Sequence, residues 1–109
     1  MAQPVYKILR PAEWQVLQAD GLLDGSPDDR RDGFIHLSTA AQLDGTLEKH
    51  FVQDSAVIVL EIDAARLGDG LRWEPSRGGA LFPHLYRALA MDDVVAVRPM
   101  TKGPGGGWH

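Results

Sequence analysis

The stretch AVIVLEID, residues 56–63, carries the apolar run that decides the fold. Five successive apolar residues precede its first charged residue, Glu61. A segment that is apolar at consecutive positions, rather than at alternate ones, is typical of a strand buried on both faces. This stretch therefore predicts the centre of a sheet, with the remaining elements arranged around it.

Shorter patterns surround this central strand. Four further segments have the alternating or short apolar pattern of strands: residues 5–9, 34–38, 71–75 and 93–100. Two segments, residues 11–21 and 40–51, have helix patterns, and Thr39 with Gln42 forms a Thr-x-x-Gln capping box. Because strands and helices do not alternate regularly, the order favours an α+β fold over a doubly wound parallel sheet. We expect a single domain over residues 1–102 with two to three helices.

Two segments are predicted to lie outside regular structure. Residues 24–33, DGSPDDRRDG, are mostly charged or turn-forming, which predicts a solvated loop that is either functional or merely mobile. Residues 103–109, GPGGGWH, predict a flexible Gly-rich tail.

Composition excludes several classes of function. With no cysteine, the chain has no disulfide, thiolate nucleophile or Cys-based zinc site. The net charge is −4, and the one basic pair, Arg30-Arg31, is flanked by aspartates. Extended nucleic acid is therefore not an expected partner, whereas the composition leaves a small nucleotide open as a ligand. Since no apolar run approaches the roughly 18 residues of a membrane span, and no signal-peptide pattern is present, we expect a cytoplasmic protein.

The strand FIHLS holds a histidine at its middle. Alternation places Phe34, His36 and Ser38 on one face, and the helix predicted after Thr39 would offer backbone N–H groups to an anion. The candidate ligands for a phosphate or a ribose hydroxyl are His36, Ser38, Thr39 and Gln42, the last on a polar helix face. The alternative is a neutral core histidine, but the Ser38 hydroxyl on the same face favours display of His36.

Two later segments add candidate groups. In LRWE, Glu74 lies on the face opposite Trp73, where it serves as a general base, as a ribose ligand, or only as an exposed charge paired with an arginine. In FPHLY, extended backbone would place Phe82, His84 and Tyr86 on one face. That face predicts either a wall for a planar ring or part of the core. Trp73, His84 and Tyr86 are thus candidate ligand contacts.

Several familiar sites lack their sequence patterns. His36, His84 and Glu74 could form a facial metal triad, but no HxH or HExxH spacing supports it, and we expect no metal. No GxSxG elbow of a serine hydrolase occurs. The phosphate-cradling patterns GxGxxG and GxxxxGK[ST] are also missing.

Taken together, DGFIHLST, VLEID, LRWE and FPHLY resemble one small family of uncharacterised bacterial proteins, domain of unknown function 952. The resemblance runs from about Tyr6 to Pro99. That family is similar in fold to ADP-ribosyltransferases and tRNA 2'-phosphotransferases, which implies a split, strongly curved, mostly antiparallel β core with NAD between two half-sheets. It implies that His36 contacts the adenosine ribose and that Tyr86 stacks on the nicotinamide. The late glutamate of many active transferases has no counterpart in the last strand, so its role is missing or falls to Glu74.

Three functions remain open at this point. The first is an enzyme acting on NAD, or on an ADP-ribosylated or 2'-phosphorylated substrate, with His36 and Glu74 as catalytic residues and NAD as substrate. The second is a non-catalytic module that binds a nucleotide or another small ligand in the same cleft. The third is a phosphoesterase with two histidines, although HLY has Tyr86 where an H-x-S/T motif needs serine or threonine. The oligomeric state is not predicted.

Overall fold

The computed structural model describes residues 3–109. Within them lie four α-helices and eight strands, numbered here in chain order. The helices are α1 (Pro11–Asp20), α2 (Pro27–Asp32), α3 (Leu43–His50) and α4 (Ala64–Leu67). The strands are β1 (Pro4–Leu9), β2 (Leu22–Leu23), β3 (Ile35–His36), β4 (Ala56–Asp63), β5 (Leu71–Pro75), β6 (Leu81–Leu85), β7 (Leu89–Ala90) and β8 (Val94–Thr101).

Strand β4 lies at the centre of the first sheet, with β1 and β8 on either side and both pairings antiparallel. Its residues 57–60 are all buried, because its two faces enter two different hydrophobic clusters. Ile58 and Leu60 pack in one cluster, whereas Val59 packs in the other. The predicted central strand, buried on both faces, is confirmed.

The β core is divided. A second antiparallel sheet has the order β3-β6-β5, and β2 pairs with β7 in a third. The first two sheets meet at one residue pair, where the Tyr6 N–H donates to the Ser38 carbonyl at 2.8 Å and the Ser38 N–H donates to the Tyr6 carbonyl at 2.9 Å. The predicted α+β domain with mostly antiparallel strands is confirmed.

The predicted loop over residues 24–33 is wrong, because this segment contains helix α2. Ser26 caps the helix by accepting a hydrogen bond from the Asp29 N–H at 3.2 Å, while Asp29 Oδ2 accepts from the Ser26 N–H at 2.9 Å. Pro27 occupies the first turn and Gly33 closes the helix with φ +86°. This capping box with proline inside it is a helix start. With α2 and α4 included, the helices number four rather than the predicted two to three.

Two predicted boundaries are also too wide. Of the strand expected over residues 34–38, only β3 and the bridge at Ser38 form. The helix expected over residues 40–51 begins at Leu43, because the preceding residues form a turn. The Thr39–Gln42 box nevertheless makes its two hydrogen bonds, at 3.1 and 3.2 Å, and it stabilises that turn.

The Gly-rich C-terminal segment turns back on strand β8. Thr101 and His109 exchange two backbone hydrogen bonds of 3.0 and 2.9 Å, and Trp108 packs against the cluster that contains Ile8. The flexibility expected of residues 103–109, and the domain limit at residue 102, stay predictions. In residues 3–109 no helix has the length and apolar character that crossing a membrane requires.

Candidate functional site

A cavity of about 220 Å³ lies where the first two sheets meet. Its wall receives side chains from six elements: β1, α1, α2, β3, α3 and β6. The single bridge between Tyr6 and Ser38 explains this position, because the sheets separate on leaving it. The split of the β core therefore creates the site.

A buried ion pair forms one side of the cavity. Lys7, 6% exposed, reaches from β1 to Asp29, 2% exposed, with 2.8 Å between Lys7 Nζ and Asp29 Oδ2. The other carboxylate oxygen, Oδ1, lies 2.6 Å from His36 Nδ1 and accepts the His36 N–H at 3.1 Å. Lys7 also donates to the His36 carbonyl at 3.2 Å. Asp29 thus fixes both the backbone and the ring of His36.

The environment of Asp29 keeps its carboxylate charged. Burial alone would raise the pKa of Asp29, but hydrogen bonds from His36 and Lys7, the Lys7 charge and the Ser26 N–H together lower that pKa well below its ordinary value. A carboxylate beside an imidazole Nδ1 fixes the orientation of the ring. The pair therefore presents the other ring nitrogen, Nε2, in a defined direction.

The second carboxylate at His36 lies at the end of α2. Asp32 Oδ2 is 3.0 Å from His36 Nε2, and both side chains are partly exposed. A hydrogen bond from Arg31 is the main cause that lowers the pKa of Asp32, and His36 contributes. The ring can donate to Asp29 and Asp32 at once only when both of its nitrogens carry a proton. His36 and Asp32 together form the polar end of the cavity.

A second histidine lies directly across the sheet from the first. His36 and His84 are paired residues of β3 and β6, and their ring centroids are 5.7 Å apart. His84 is buried, with its Nδ1 2.8 Å from Glu74 Oε1, and Tyr86 donates to the same oxygen at 2.6 Å. The Phe34 ring stacks on the His84 ring with centroids 3.9 Å apart. The His84 ring is therefore fixed on its face and at its edge.

Glu74 carries its charge into this cluster. The Tyr86 and His84 hydrogen bonds lower the pKa of Glu74, and the Glu74 carboxylate raises the pKa of Tyr86 in return. A charged acceptor at Nδ1 leaves the Nε2 of His84 as the nitrogen available to a ligand. The two histidines thus have the same arrangement: each has a carboxylate at Nδ1, and each lines the cavity.

The chain matches the family described as "Protein of unknown function (DUF952)" over residues 8–97. It belongs to this family. The crystal structure of protein CC0527 from Caulobacter crescentus is 41% identical, with a TM-score of 0.92 over 98% of this chain and 94% of that one. The solution NMR structure of the same protein is 43% identical, with a TM-score of 0.84 over 94% and 89%. A search of curated proteins finds no match.

The comparisons confirm the predicted family. The fold of this DUF952 chain is shared with CC0527 over nearly the whole length of both chains. The further likeness to ADP-ribosyltransferases stays a prediction, since the matched family and the matched structure of CC0527 do not show that superfamily.

The structure divides the site residues predicted for the DUF952 chain into two groups. Three of them line the cavity: His36, Ser38 and His84. The Ser38 hydroxyl is buried and lies 3.0 Å from the Thr46 hydroxyl, so that part of its hydrogen-bonding capacity is already used.

Five predicted residues lie outside the cavity lining: Thr39, Gln42, Trp73, Glu74 and Tyr86. Gln42 Nε2 donates to the Leu81 carbonyl at 2.8 Å and thus ties the start of α3 to β6. Thr39 completes the turn before α3. Trp73 projects from the opposite face of β5, and Glu74 and Tyr86 support His84. These residues shape the site, and their roles toward a ligand stay predictions.

Sequence reasoning missed Lys7, Asp29 and Arg10. Lys7 is a single charge between apolar residues in β1, a pattern that requires a buried partner. The Ser-x-x-Asp spacing before Arg30 was the available signal for Asp29. Arg10 lines the cavity, binds Asp54 through two hydrogen bonds of 3.0 and 3.1 Å, and lies 4.6 Å over the Phe51 ring.

A metal centre does not assemble from the described side chains. Over residues 3–109, no three His, Asp or Glu side chains are grouped so that they could hold a metal ion. One oxygen of Glu74, Oε1, is instead hydrogen-bonded to both His84 and Tyr86.

Acid should destabilise the chain through Asp29. Because the folded-state pKa of Asp29 is lowered, the unfolded chain binds more protons near pH 4, and stability rises with pH there. The contribution is complete above the unfolded pKa of about 3.9 and is lost as pH falls below it. Urea denaturation between pH 6 and pH 3 should therefore show that the free energy of unfolding falls more steeply with falling pH for the parent chain than for Asp29→Asn. Equal slopes would contradict this.

Proposed function

We propose that the DUF952 chain binds a nucleotide-like ligand in the cavity between its two half-sheets, with a ribose at His36. NAD, ADP-ribose or a related nucleotide fits this description. One observation carries the proposal: two histidines, each with Nδ1 on a carboxylate, stand side by side on one wall of a partly open cavity.

The polar end of the cavity suits a sugar diol. A ribose hydroxyl both donates and accepts a hydrogen bond, and here a donor and an acceptor lie together. His36 supplies a ring N–H, and Asp32, whose pKa is lowered, supplies a charged oxygen 3.0 Å from that ring. A diol would insert at this pair and bind both partners, which supports a ribose at His36.

The neighbouring wall suits a planar ring. Phe82 and His84 line the cavity from β6, and Phe34 backs the His84 ring. Aromatic surfaces pack well against the flat face of a base or a nicotinamide. Since His84 is the cross-strand partner of His36, a ring and a ribose joined by one bond would reach both residues.

The size of the cavity limits what it holds. The cavity volume of about 220 Å³ is smaller than that of sites for drug-sized ligands, which is about 300–1,000 Å³. The cavity would therefore hold one ribose with its ring, and not a whole dinucleotide. A shallower surface with Lys49 continues from the cavity through Arg10 and His50, which line both. A diphosphate would leave the cavity past Lys49 and past Arg10, which is bonded to Asp54.

The same reasoning assigns roles if the ligand is also turned over. His84 is our candidate catalytic base, because its Nε2 is free of Glu74 and its ring lines the cavity. In NAD hydrolysis, water would bond to the ribose carbon as the bond to nicotinamide breaks, and His84 would take the proton that water releases. Glu74 lies outside the lining and acts through His84 as a positioning residue. An ADP-ribosyltransferase-like fold is part of this proposal, supported by the split β core.

Titration with ADP-ribose and NAD tests the proposal. We expect backbone amide signals of residues 33–37 and 82–86 to shift in NMR spectra, with saturation at millimolar ligand or below. His36→Gln should weaken binding about ten-fold, because the hydrogen bond between the imidazole ring and the ribose is lost. His109→Gln is the matched control, since His109 pairs with Thr101 at the end of β8 and does not line the cavity, and it should bind like the parent.

Other outcomes decide against the proposal or refine it. Unmoved amides in residues 33–37 at millimolar ligand would contradict nucleotide binding. If His36→Gln and His109→Gln bind the ligand with equal affinity, the proposed contact between the ribose and His36 is contradicted. Binding with NAD turnover that His84→Gln abolishes identifies an enzyme, and binding without turnover identifies a non-catalytic module.

The paired histidines also favour a phosphoesterase as a second candidate. With ring centroids 5.7 Å apart, one imidazole can accept a proton from water while the other donates one to the leaving oxygen. Water would then bond to phosphorus as the phosphorus–oxygen bond of a cyclic phosphate breaks. Hydrolysis of a 2',3'-cyclic nucleotide, lost in both His36→Gln and His84→Gln, would favour this candidate over NAD.

A further inference from the structure

Strand β5 forms an open edge of the second sheet. It pairs with β6 on one side, and no strand of residues 3–109 pairs with its other side. The backbone of Trp73 points toward this open side, because its partner Pro83 has its carbonyl turned to β3, where it accepts the Leu37 N–H at 3.0 Å. In an antiparallel ladder, residue pairs alternate between bonded and outward-facing positions.

Hydrogen bonds at both ends of β5 fix the same alternation. The Tyr86 N–H donates to the Gly70 carbonyl at 2.7 Å, and the Ser76 N–H donates to the Ala80 carbonyl at 2.9 Å. Even-numbered residues of β5 therefore bond to β6. The outward backbone groups are the N–H and C=O of Leu71 and Trp73 and the C=O of Pro75.

The side chains along this edge are apolar on one face and charged on the other. Trp73 is 40% exposed, and Leu81 on the adjacent strand is also exposed on that face. Arg72 and Glu74 lie on the opposite face, one on each side of Trp73. An exposed edge strand with a large apolar residue at its centre is a template for pairing with another strand.

We propose that β5 pairs with β5 of a second copy of this chain, antiparallel, about a two-fold axis at Trp73. Each Trp73 would donate its N–H to the Trp73 carbonyl of the other copy. Each Leu71 N–H would reach the Pro75 carbonyl of the second copy. The two sheets would join into one six-stranded sheet, and the closed symmetry would end the assembly at two copies.

Charge complementarity makes a second copy the fitting occupant. The segment LRWEP is its own complement, since Arg72 would lie directly opposite Glu74 of the second copy on both sides of the axis. Opposite charges at such cross-strand positions stabilise pairing and like charges destabilise it. A shift by two residues in either direction would put Arg72 opposite Arg72, or Glu74 opposite Glu74. The charges thus select one register.

The edge strand β8 of the first sheet lacks these features. Thr101 is already bonded to His109, and Pro99 has no N–H to offer. Val97, 41% exposed, lies between Ala96 and Arg98, so a two-fold pairing there would leave Arg98 without a carboxylate opposite. Strand β8 therefore supplies a matched control surface of nearly equal apolar exposure.

The expected dimer is weak and depends on concentration. Strand β5 has five residues, and such a contact buries less than the about 800 Å² per partner of a standard interface. Sedimentation velocity of the full chain from about 10 μM to about 1 mM should show a monomer that converts to a dimer, as expected for an affinity in the micromolar range.

Charge reversal tests the proposed register. Arg72→Glu alone and Glu74→Arg alone should each remain monomeric, because like charges would then face each other. An equimolar mixture of these two variants should form a heterodimer, since each copy supplies the charge that the other lacks. Val97→Glu on β8 should dimerise like the parent.

A second variant separates dimerisation from folding, since Glu74 also supports His84. Trp73→Pro removes an outward N–H that the monomer does not use, so the chain should keep its fold by circular dichroism and lose the dimer. A parent chain that stays monomeric at every concentration would overturn the proposal. So would a dimer that persists in Arg72→Glu and Trp73→Pro, or one that Val97→Glu abolishes. A mixture that stays monomeric would overturn the register.

Discussion

The Asp29→Asn variant should lose about 3–5 kcal/mol of its free energy of unfolding. Asp29 is 2% exposed and is the partner of Lys7, which is 6% exposed. A neutral amide of the same size would leave the buried Lys7 ammonium without its counter-charge, and the remaining His36 carbonyl at 3.2 Å is a weak substitute. Urea denaturation at pH 7 measures this loss. It is a large share of the total free energy of unfolding of a domain, which is about 5–15 kcal/mol.

Asp28→Asn is the matched control on the same helix. Asp28 is exposed and contacts Arg31 at 3.2 Å on the surface, so its loss should change stability by less than about 0.5 kcal/mol. Adding Lys7→Met to Asp29→Asn should recover part of the loss, because no buried charge then remains. Equal losses for Asp28→Asn and Asp29→Asn would contradict the buried ion pair.

The second large effect is expected at Gly25, just before helix α2. Gly25 has φ +112°, and a Cβ added there would lie 2.5 Å from the Cβ of Asp29. Gly25→Ala should therefore lower the free energy of unfolding by about 2–5 kcal/mol through overpacking and an unfavourable backbone conformation. Thermal or urea denaturation measures the change, and amide shifts at His36 should report the displaced Asp29.

Gly21→Ala isolates the contribution of the contact. Gly21 also has a positive φ, +75°, but an added Cβ would meet no atom within 4 Å. That variant should lose only the backbone contribution of about 1–2 kcal/mol, with no shift at His36. If the two variants lose the same free energy, the close approach of Gly25 to Asp29 has no energetic weight.

The parts of the fold with short-range signals could be predicted from the sequence. The apolar run of β4 predicted its central position, and the alternation of LRWEP predicted β5 within its true bounds. Gly21 ends α1 in the left-handed conformation that a helix-closing glycine adopts. Each of these features depends on residues that are neighbours along the chain.

Helix α2 shows why another part of the fold could not be predicted from the sequence. Ser, Pro and Asp favour turns and helix starts alike, so the segment with Asp28 and Asp29 is locally ambiguous. Burial of Asp29 against Lys7, 22 positions away, adds to the local capping box in favouring the helix. That long-range contact leaves no periodic signal in the sequence.

The candidate site divides in the same way. Strand alternation predicted that His36 shares a face with Ser38 and that His84 shares one with Phe82, and all four residues line the cavity. It could not show that Glu74 lies behind His84, because that requires the pairing register of β5 with β6. Contacts between strands, rather than within them, decide which predicted residues line the cavity.

A crystal structure of the chain grown with ADP-ribose tests the central claim most directly. The account predicts ligand density in the cavity where the two half-sheets meet, with a ribose hydroxyl within about 3.2 Å of a His36 ring nitrogen. It also predicts that the ligand contacts Asp32. Saturating ligand bound elsewhere, with the cavity left empty, would contradict the account.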